Sequence, residues 1–276
     1  MQRNAATLPL VVIPCYNEER RLDVERLVPL AASNRVQLLF VDDGSTDGTA
    51  AVLRQLHEVA PQAGVLSIPQ NVGKAEAIRR GLVDALGSGA PIVGYFDADL
   101  ATPPSELLRL AELLETSPDL EFVMAARVRL LGRQIQRHST RHYLGRVFAT
   151  AASLLLHIPV YDTQCGAKLF RASPALREAV AMPFRSTWVF DVELIGRLLR
   201  GSDTTAPMPL SAFAEMPLRE WRDVPGSRLG LRDMFRAGID LAVVGVTLSR
   251  RSGRTGRLAR QSRTNGDDAL HPGGTR

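Results

Sequence analysis

The sequence predicts an α/β domain built on a mostly parallel, doubly wound sheet. Three observations carry that expectation. Short apolar, β-branched runs alternate with amphipathic helical stretches through the first half of the 276 residues. Each of the first four runs ends at a turn containing Pro, Asn, Asp or Gly. Three of those ends carry carboxylates: Glu18 after the first run, Asp42 and Asp43 after the second, Asp97 and Asp99 after the fourth. Ligands of open α/β sheets bind at the carboxyl ends of strands, so three acidic ends describe one pocket for hydrogen-bond donors and a cation.

The elements follow in order. Leu8 to Ile13 is a strand that stops at Pro14, and Pro14-Cys15-Tyr16-Asn17-Glu18-Glu19 turns into a helix running toward Ser33. Val36 to Val41 is the second strand; Thr46-Asp47-Gly48 then opens a helix to about Val59. Gly64 to Ile68 is a short third strand, and Asn71-Val72-Gly73-Lys74 opens a helix with Ala77, Ile78 and Leu82 on its apolar side. Ile92 to Phe96 is the fourth strand. Leu107, Leu110, Leu113 and Leu114 share one face of a helix over Pro103 to Glu115. Leu120 to Ala125 is the fifth strand. The second half is less regular: an arginine-rich stretch from Arg127 to Arg146, a buried helical face over Val147 to Leu156, and a turn and strand through Asp162 to Arg171. Helices are expected near Pro174 to Ala181 and Asp191 to Arg200, a strand over Phe213 to Leu218, and a last helix over Leu231 to Leu248.

Bulk properties narrow the partners. The net charge is +5, which favours anionic ones: nucleic acid, phosphorylated substrates or a lipid headgroup surface. Two cysteines, Cys15 and Cys165, make no disulfide scaffold and imply a reducing compartment. Residues 1–7 lack an apolar signal core, and no run of about 20 apolar residues predicts a transmembrane helix. The last helix has a polar stripe of Arg232, Arg236 and Asp240 and an apolar face of Leu231, Met234, Phe235, Leu241, Ala242 and Leu248. It suits either the plane of a membrane interface or packing on the domain. The arginines from Arg250 to Arg263 stand among Gly, Ser and Thr and would add attraction to anionic lipid.

Asp97 and Asp99 are the sharpest chemical signal. Side chains two apart on an extended segment point the same way, and two like charges so close need a cation or donors between them. Mg²⁺ or Mn²⁺, shared with a phosphate group, is the natural partner. The plainer alternative is that Asp99 caps the helix at Pro103. A dinucleotide glycine fingerprint is absent after the first strand, and there is no P-loop lysine motif, which argues against nicotinamide, flavin and P-loop chemistry. His138, His142 and His157 lack a metal-ligand constellation. Cys165 reads as a packing residue, and Asp191 and Glu193 read as capping a helix.

Val12-Ile13-Pro14-Cys15-Tyr16-Asn17-Glu18, Val41-Asp42-Asp43-Gly44-Ser45-Thr46-Asp47-Gly48-Thr49 and Asp97-Ala98-Asp99, in this order, resemble the family 2 glycosyltransferases. The resemblance implies the GT-A fold, a nucleotide-sugar donor and inversion at the anomeric carbon. Asn71-Val72-Gly73-Lys74, Asp162-Thr163-Gln164-Cys165-Gly166 and Trp188-Val189-Phe190-Asp191-Val192-Glu193-Leu194 are similar to the branch that glycosylates polyprenyl phosphates, dolichyl-phosphate glucosyltransferases above all. Mannosyltransferase relatives usually carry Gln two residues after the metal Asp; Ala101 stands there, which favours glucose and UDP-glucose over GDP-mannose.

The resemblance also implies roles. Tyr16 and Glu18, after Pro14, hold the nucleoside; Asp43 accepts from the base, while Asp42 orients its turn. Asp97 contacts ribose or metal-bound water, and Asp99 the metal. Lys74 either reaches the pyrophosphate or is solvated. Arg127 and Arg222 contact phosphates around the reacting carbon, with Arg137, Arg141 and Arg228 at the acceptor phosphate. A polyprenyl phosphate needs no general base, because its oxygen is already ionised; a soluble hydroxyl acceptor would need one, and Asp191 lies where related soluble enzymes keep it. The expected organisation is a disordered 1–7, a GT-A domain over 8–229 (8–126 for the nucleotide sugar, 127–229 for the acceptor), an interfacial helix at 230–249 and a disordered basic tail at 250–276. The expected setting is peripheral, on the cytoplasmic face of a membrane, with nucleotide sugar and polyprenyl phosphate as partners and no nucleic acid.

Overall fold

All seven strands expected from the sequence pair into one sheet: β1 (Leu10–Cys15), β2 (Gln37–Asp43), β3 (Gly64–Ile68), β4 (Ile92–Phe96), β5 (Phe122–Ala126), β7 (Ala167–Arg171) and β8 (Phe213–Pro217). The computed structural model describes residues 8–136, 139–224 and 237–248, with 139–142 as backbone only. The strand order is β3-β2-β1-β4-β7-β5-β8. Every pairing is parallel except those of β7, which runs antiparallel between β4 and β5. The mixed α/β architecture with a mostly parallel sheet is the fold class the sequence predicts.

Alternation along the strands builds two cores. Val12, Val41, Val93, Tyr95 and Phe170 face a layer of α3 (Lys74–Gly87), α5 (Ser139–Leu156), α6 (Pro174–Ala181), α7 (Phe190–Arg200) and α8 (237–248). Val11, Ile13, Phe40, Phe96 and Leu169 face α1 (Val24–Ala31), α2 (Thr49–Val59) and α4 (Pro104–Thr116). Helices on both faces bury the central strands β4 and β5 completely, which is why these read as unbroken apolar runs, while the edge strands β3 and β8 stay partly exposed.

Three elements differ from expectation. Helix α5 starts at Ser139, not Val147, and its face is only half buried. Ala149, Ala152 and Leu156 point inward, whereas Tyr143, Val147 and Leu154 are 70%, 68% and 70% exposed. The small alanines form the packing face because they let α7 approach closely. A second, two-stranded parallel sheet joins β6 (Gln134–Gln136) to β9 (Glu220–Arg222). Each strand is three residues with one buried side chain, Ile135 or Trp221, too short to show a period. Helix α1 begins only at Val24, where the Asp23 carboxylate accepts the Arg26 N–H at 3.1 Å.

Helix α8 packs on the domain through Ala237, Leu241, Val244 and Leu248, while Ala242, on the apolar face expected from sequence, is exposed. Leu248 lies against Gly196 of α7, and Gly245 against Leu155 of α5. Its outer side keeps Ile239, Val243 and Val246 exposed. Among the described residues no helix is long and apolar enough to cross a membrane. The N-terminal stretch and the arginine tail lie outside the described residues.

Candidate active site

The first two acidic strand ends lock together. After β1, Asn17 takes a left-handed backbone (φ 53°) and its side-chain oxygen accepts the Thr46 N–H at 2.8 Å. In return the N–H groups of Asn17, Glu18 and Glu19 donate to Ser45 Oγ, Thr49 Oγ1 and Asp47 Oδ2. Glu19 Oε2 accepts the Gly48 N–H at 3.1 Å, and a side chain on Gly48 would collide with that carboxylate. Polar residues of the two motifs thus satisfy turn backbones that face no strand partner. Asp42 Oδ1 accepts the Ser45 N–H, so it holds its turn as expected.

Asp43 joins a third loop. Its oxygens accept the N–H groups of Val72 and Gly73 at 2.8 and 2.9 Å, and the carboxylate is buried. Gly44 (φ 68°) lies so close to the Gln70 and Asn71 backbone that no side chain fits. This docking carries Lys74, the first residue of α3, to the end of β4, where Nζ pairs with Asp97 Oδ1 at 2.6 Å. Lys74 therefore stands in the acidic corner rather than free in solvent. Its pKa is raised: desolvation lowers it, but the Asp97 charge and hydrogen bond outweigh that.

Asp97 sits where β4 meets β7, its N–H bonded to Gly166 O at 2.9 Å. Any Cβ on Gly166 would overlap the Asp97 carboxylate. Asp99 does not cap α4, whose N-cap is Pro103. Its Oδ1 accepts the Ala101 N–H at 3.1 Å, and Oδ2 receives Arg21 Nη2 at 3.3 Å. Arg21 Nη1 also reaches Glu18 Oε1 at 3.4 Å. Burial, then the neighbouring Asp97, raises the Asp99 pKa. Burial raises Glu18 as well, with Arg21 opposing and Asp99 and Asp97 adding. Three carboxylates thus meet two cations, Arg21 and Lys74. Tyr16 stands at the rim, 46% exposed, and Pro14 is half-buried.

The donor set fits a hard divalent cation. It offers carboxylate oxygens only, and Glu18 Oε2 is buried without a partner. Among the described residues no group of three His, Cys, Asp or Glu forms a ready cage. Mg²⁺ and Mn²⁺ need none where substrate phosphates complete their shell. A cavity of about 510 Å³ opens beside Asp99, lined also by Leu100, Ala101, Pro103, Glu220 and Arg222.

The arginines divide. Arg222 is largely exposed, pairs with Glu220 at 2.9 Å, and its backbone N–H bonds Ala101 O, which ties β9 to the Asp99 turn. Arg127 is half-buried and forked onto Asp162, Nε at 2.6 Å and Nη2 at 2.8 Å, with the Trp221 ring 5.3 Å from its guanidinium carbon. Glu215 fixes that partner by accepting the Tyr161 and Asp162 N–H groups. Arg137 and Arg228 lie outside the described residues, as does the side chain of Arg141.

Asp191 stands in the first turn of α7, but neither it nor Glu193 caps the helix as the sequence suggests: the N-cap is Val189 with no side-chain bond, and the Asp191 side chain turns inward. It is buried, accepts the Tyr95 hydroxyl and pairs with Lys168 Nζ at 2.7 Å. Lys168 Nζ also donates to Cys165 O. Glu193 accepts the Arg185 and Ser186 N–H groups and pairs with Arg197 at 2.7 Å, a structural role. Sequence reasoning missed Arg21 and Gly166 as site residues. Nothing local distinguishes Arg21 from its neighbour Arg20, whereas Gly166 belongs to a motif already singled out.

Sheet order, interlocked turns and acidic corner define a glycosyltransferase of GT-A type. The chain belongs to glycosyl transferase family 2, whose model matches residues 10–177. Among curated proteins it is 28% identical over 259 residues to a dolichyl-phosphate beta-glucosyltransferase of Saccharomyces cerevisiae, covering 85% of this chain and 73% of that one. A Homo sapiens protein of the same name is 31% identical over 243 residues, 79% of this chain and 68% of that one. Among solved structures, Mycobacterium tuberculosis glucosyl-3-phosphoglycerate synthase superposes with TM-score 0.61 at 21% identity, over 90% of this chain and 82% of that chain. A complex of that synthase with Mn²⁺, UDP and glucosyl-3-phosphoglycerate gives TM-score 0.57 at 22% identity, over 90% and 81%. At these identities the structural likeness speaks for the fold.

Proposed function

We propose that this glycosyltransferase moves glucose from UDP-glucose to a polyprenyl or dolichyl phosphate, with inversion at C1. The curated relatives' names support the acceptor class. The observation that carries it is the state of Asp191, the carboxylate placed where a general base would be needed. It is buried and engaged by Lys168 and Tyr95. An acceptor that is already an anion needs no base.

The acceptor phosphate oxygen attacks C1 from the face opposite the departing diphosphate. The C1–O bond to the acceptor forms as the C1–O bond to UDP breaks, and no proton has to leave. A divalent cation, Mg²⁺ or Mn²⁺, supplies Lewis-acid and templating chemistry when bound; Asp99 is its first holder and Asp97 the supporting one. Glu18 and Tyr16 hold the nucleoside. Asp43 keeps lone pairs beyond the two it gives to Val72 and Gly73, with which it accepts from the base. Lys74 lies beside the diphosphate. Arg222 and Arg127, the latter held on Asp162, take phosphates on either side of the reacting carbon by their guanidinium forks, and Arg137, Arg141 and Arg228 serve the acceptor end.

A peripheral seat on the cytoplasmic face of a membrane suits a lipid acceptor. The exposed apolar residues of α5 and α8 support it, as do the basic tail and two free, buried cysteines. The test is one panel: UDP-glucose, GDP-mannose and other donors against a short polyprenyl phosphate, with Mg²⁺ or Mn²⁺ and with chelator. A β-glucosyl phosphate forms from UDP-glucose only with metal. Asp99→Ala drops to background while folded, and Asp191→Asn still transfers. Transfer to a hydroxyl acceptor, or a folded Asp191→Asn with no chemistry, sinks the reading.

A further inference from the structure

Arg21 is the one cation of the acidic corner that the proposed reaction does not use. Its guanidinium bridges Glu18 Oε1 at 3.4 Å and Asp99 Oδ2 at 3.3 Å. Charge-assisted N–H···O bonds normally measure about 2.7–2.9 Å. The Lys74–Asp97 pair at 2.6 Å and the Arg127–Asp162 fork at 2.6 and 2.8 Å are that short. Arg21 is loosely held by comparison, and its side chain is 39% exposed. It leaves the turn where Glu18 O accepts the Arg21 backbone N–H at 2.9 Å, so its anchor stays fixed while its four-bond stem is free to turn.

The electrostatics say why a cation stands there. Glu18 and Asp99 are largely buried, and burial raises the pKa of each, with Asp97 adding to both and Asp99 also to Glu18. Lys74 is pair-bonded to Asp97. Lys74 acts on both from its seat on Asp97, but only Arg21 reaches across between Glu18 and Asp99 themselves. Arg21 occupies Asp99 Oδ2, while Oδ1 holds the Ala101 N–H. An incoming divalent ion therefore meets Asp99 with Arg21 in place.

We propose that Arg21 is an exchangeable counter-ion. It holds Asp99 and Glu18 together before loading, gives up Asp99 to the divalent cation, and then swings its fork onto the diphosphate that arrives with that cation. This rests on the reading of Asp99 as the metal-holding residue. The swing keeps charge balanced: one cation replaces another on the carboxylate, and the displaced one moves to the added anion. Arg21 is a positioning residue for loading and a binding residue for the diphosphate.

The two halves predict effects of opposite sign. Removing Arg21 removes a competitor, so Arg21→Ala binds Mn²⁺ about threefold to fivefold more tightly without nucleotide, the scale of losing one partly exposed ion pair. Electron paramagnetic resonance of free Mn²⁺ reads this directly. With saturating Mn²⁺ the same variant binds UDP at least about tenfold more weakly by calorimetry, since a charge-assisted contact is lost. Arg20→Ala removes the same charge one residue away and leaves both constants within about twofold. Equal tightening in Arg20→Ala would assign the effect to net charge and overturn the proposal, as would unchanged or weaker Mn²⁺ binding in Arg21→Ala. Unchanged UDP binding overturns the swing. If wild type binds no Mn²⁺ with or without UDP, the metal reading falls and takes this inference with it. An Arg21→Ala protein with wild-type circular dichroism and Tm excludes misfolding as the cause.

Discussion

At the scale of single residues the site depends on contacts that leave no spare room. The Asp97 carboxylate fills the space where any Gly166 side chain would begin, and the Gly166 carbonyl holds the Asp97 N–H. Gly166→Ala therefore moves Asp97 or breaks that bond. A displacement near 1 Å at a reacting centre costs about 10²-fold in rate, so kcat/KM should fall by about that factor while Tm drops by only a few degrees. A variant with wild-type kinetics would contradict the placement of Asp97. The carboxylates at the strand ends were legible in the sequence because each follows an apolar run. Their partners were not. Arg21, Gly166 and the Asp162 fork on Arg127 are contacts across long stretches of chain, and neither periodicity nor composition encodes such distances. Asp43 shows a middle case: its type and place were legible, its grip on Val72 and Gly73 was not.

Elements position these residues through their ends. Helix α3 presents Lys74 at its first turn, and the helix is itself pinned by Glu76. That carboxylate accepts Arg79 Nε and Nη2 at 2.7 and 2.8 Å and Arg80 Nε at 2.8 Å, while Arg79 Nη1 donates to Val180 O at the end of α6. The hydrogen bond from Arg79, first, and then Arg80 hold the Glu76 pKa below its ordinary value. A carboxylate depressed by folding contributes stability that is fully present above its unfolded pKa and is lost as pH falls through the folded one. Glu76→Gln should cost about 1 kcal/mol at pH 7, and the difference from wild type should shrink as pH falls below the unfolded carboxylate pKa and vanish below the depressed folded one. Denaturant titrations at neutral and acid pH check this, and a pH-independent difference would refute it. Element type and order were readable wherever a run was long. The three-residue β6 and β9 were not, and α5 misled because its packing face is built of alanines while its larger apolar residues look outward.

The whole molecule joins parts that the sequence keeps apart. Helices α5 and α8 touch through Leu155 and Gly245, and their outer sides together expose Tyr143, Val147, Leu154, Ile239, Val243 and Val246. Neighbouring exposed apolar residues on adjacent helices, followed in sequence by the arginine tail, suit an anionic bilayer surface. The double substitution Val147→Asp with Val243→Asp changes exposed positions, so Tm should hold within a few degrees. Sedimentation with vesicles of neutral and anionic phospholipid should show binding reduced by about tenfold or more. Undiminished binding would remove this face from the membrane reading.

The antiparallel β7 has a consequence in time. It lies between β4 and β5, and it brings Gly166 to Asp97 and Lys168 to Tyr95. Strands β1 to β4 precede it in sequence, and until β7 pairs with β4 the latter presents an open edge with Asp97 unsupported. Closing that edge requires a contact between distant parts of the chain, a slow step in folding. Until β7 pairs, the N-terminal part of the sheet thus has an unfinished acidic corner. The enzyme acquires its chemistry late, when a strand running against the rest slides in to seal it.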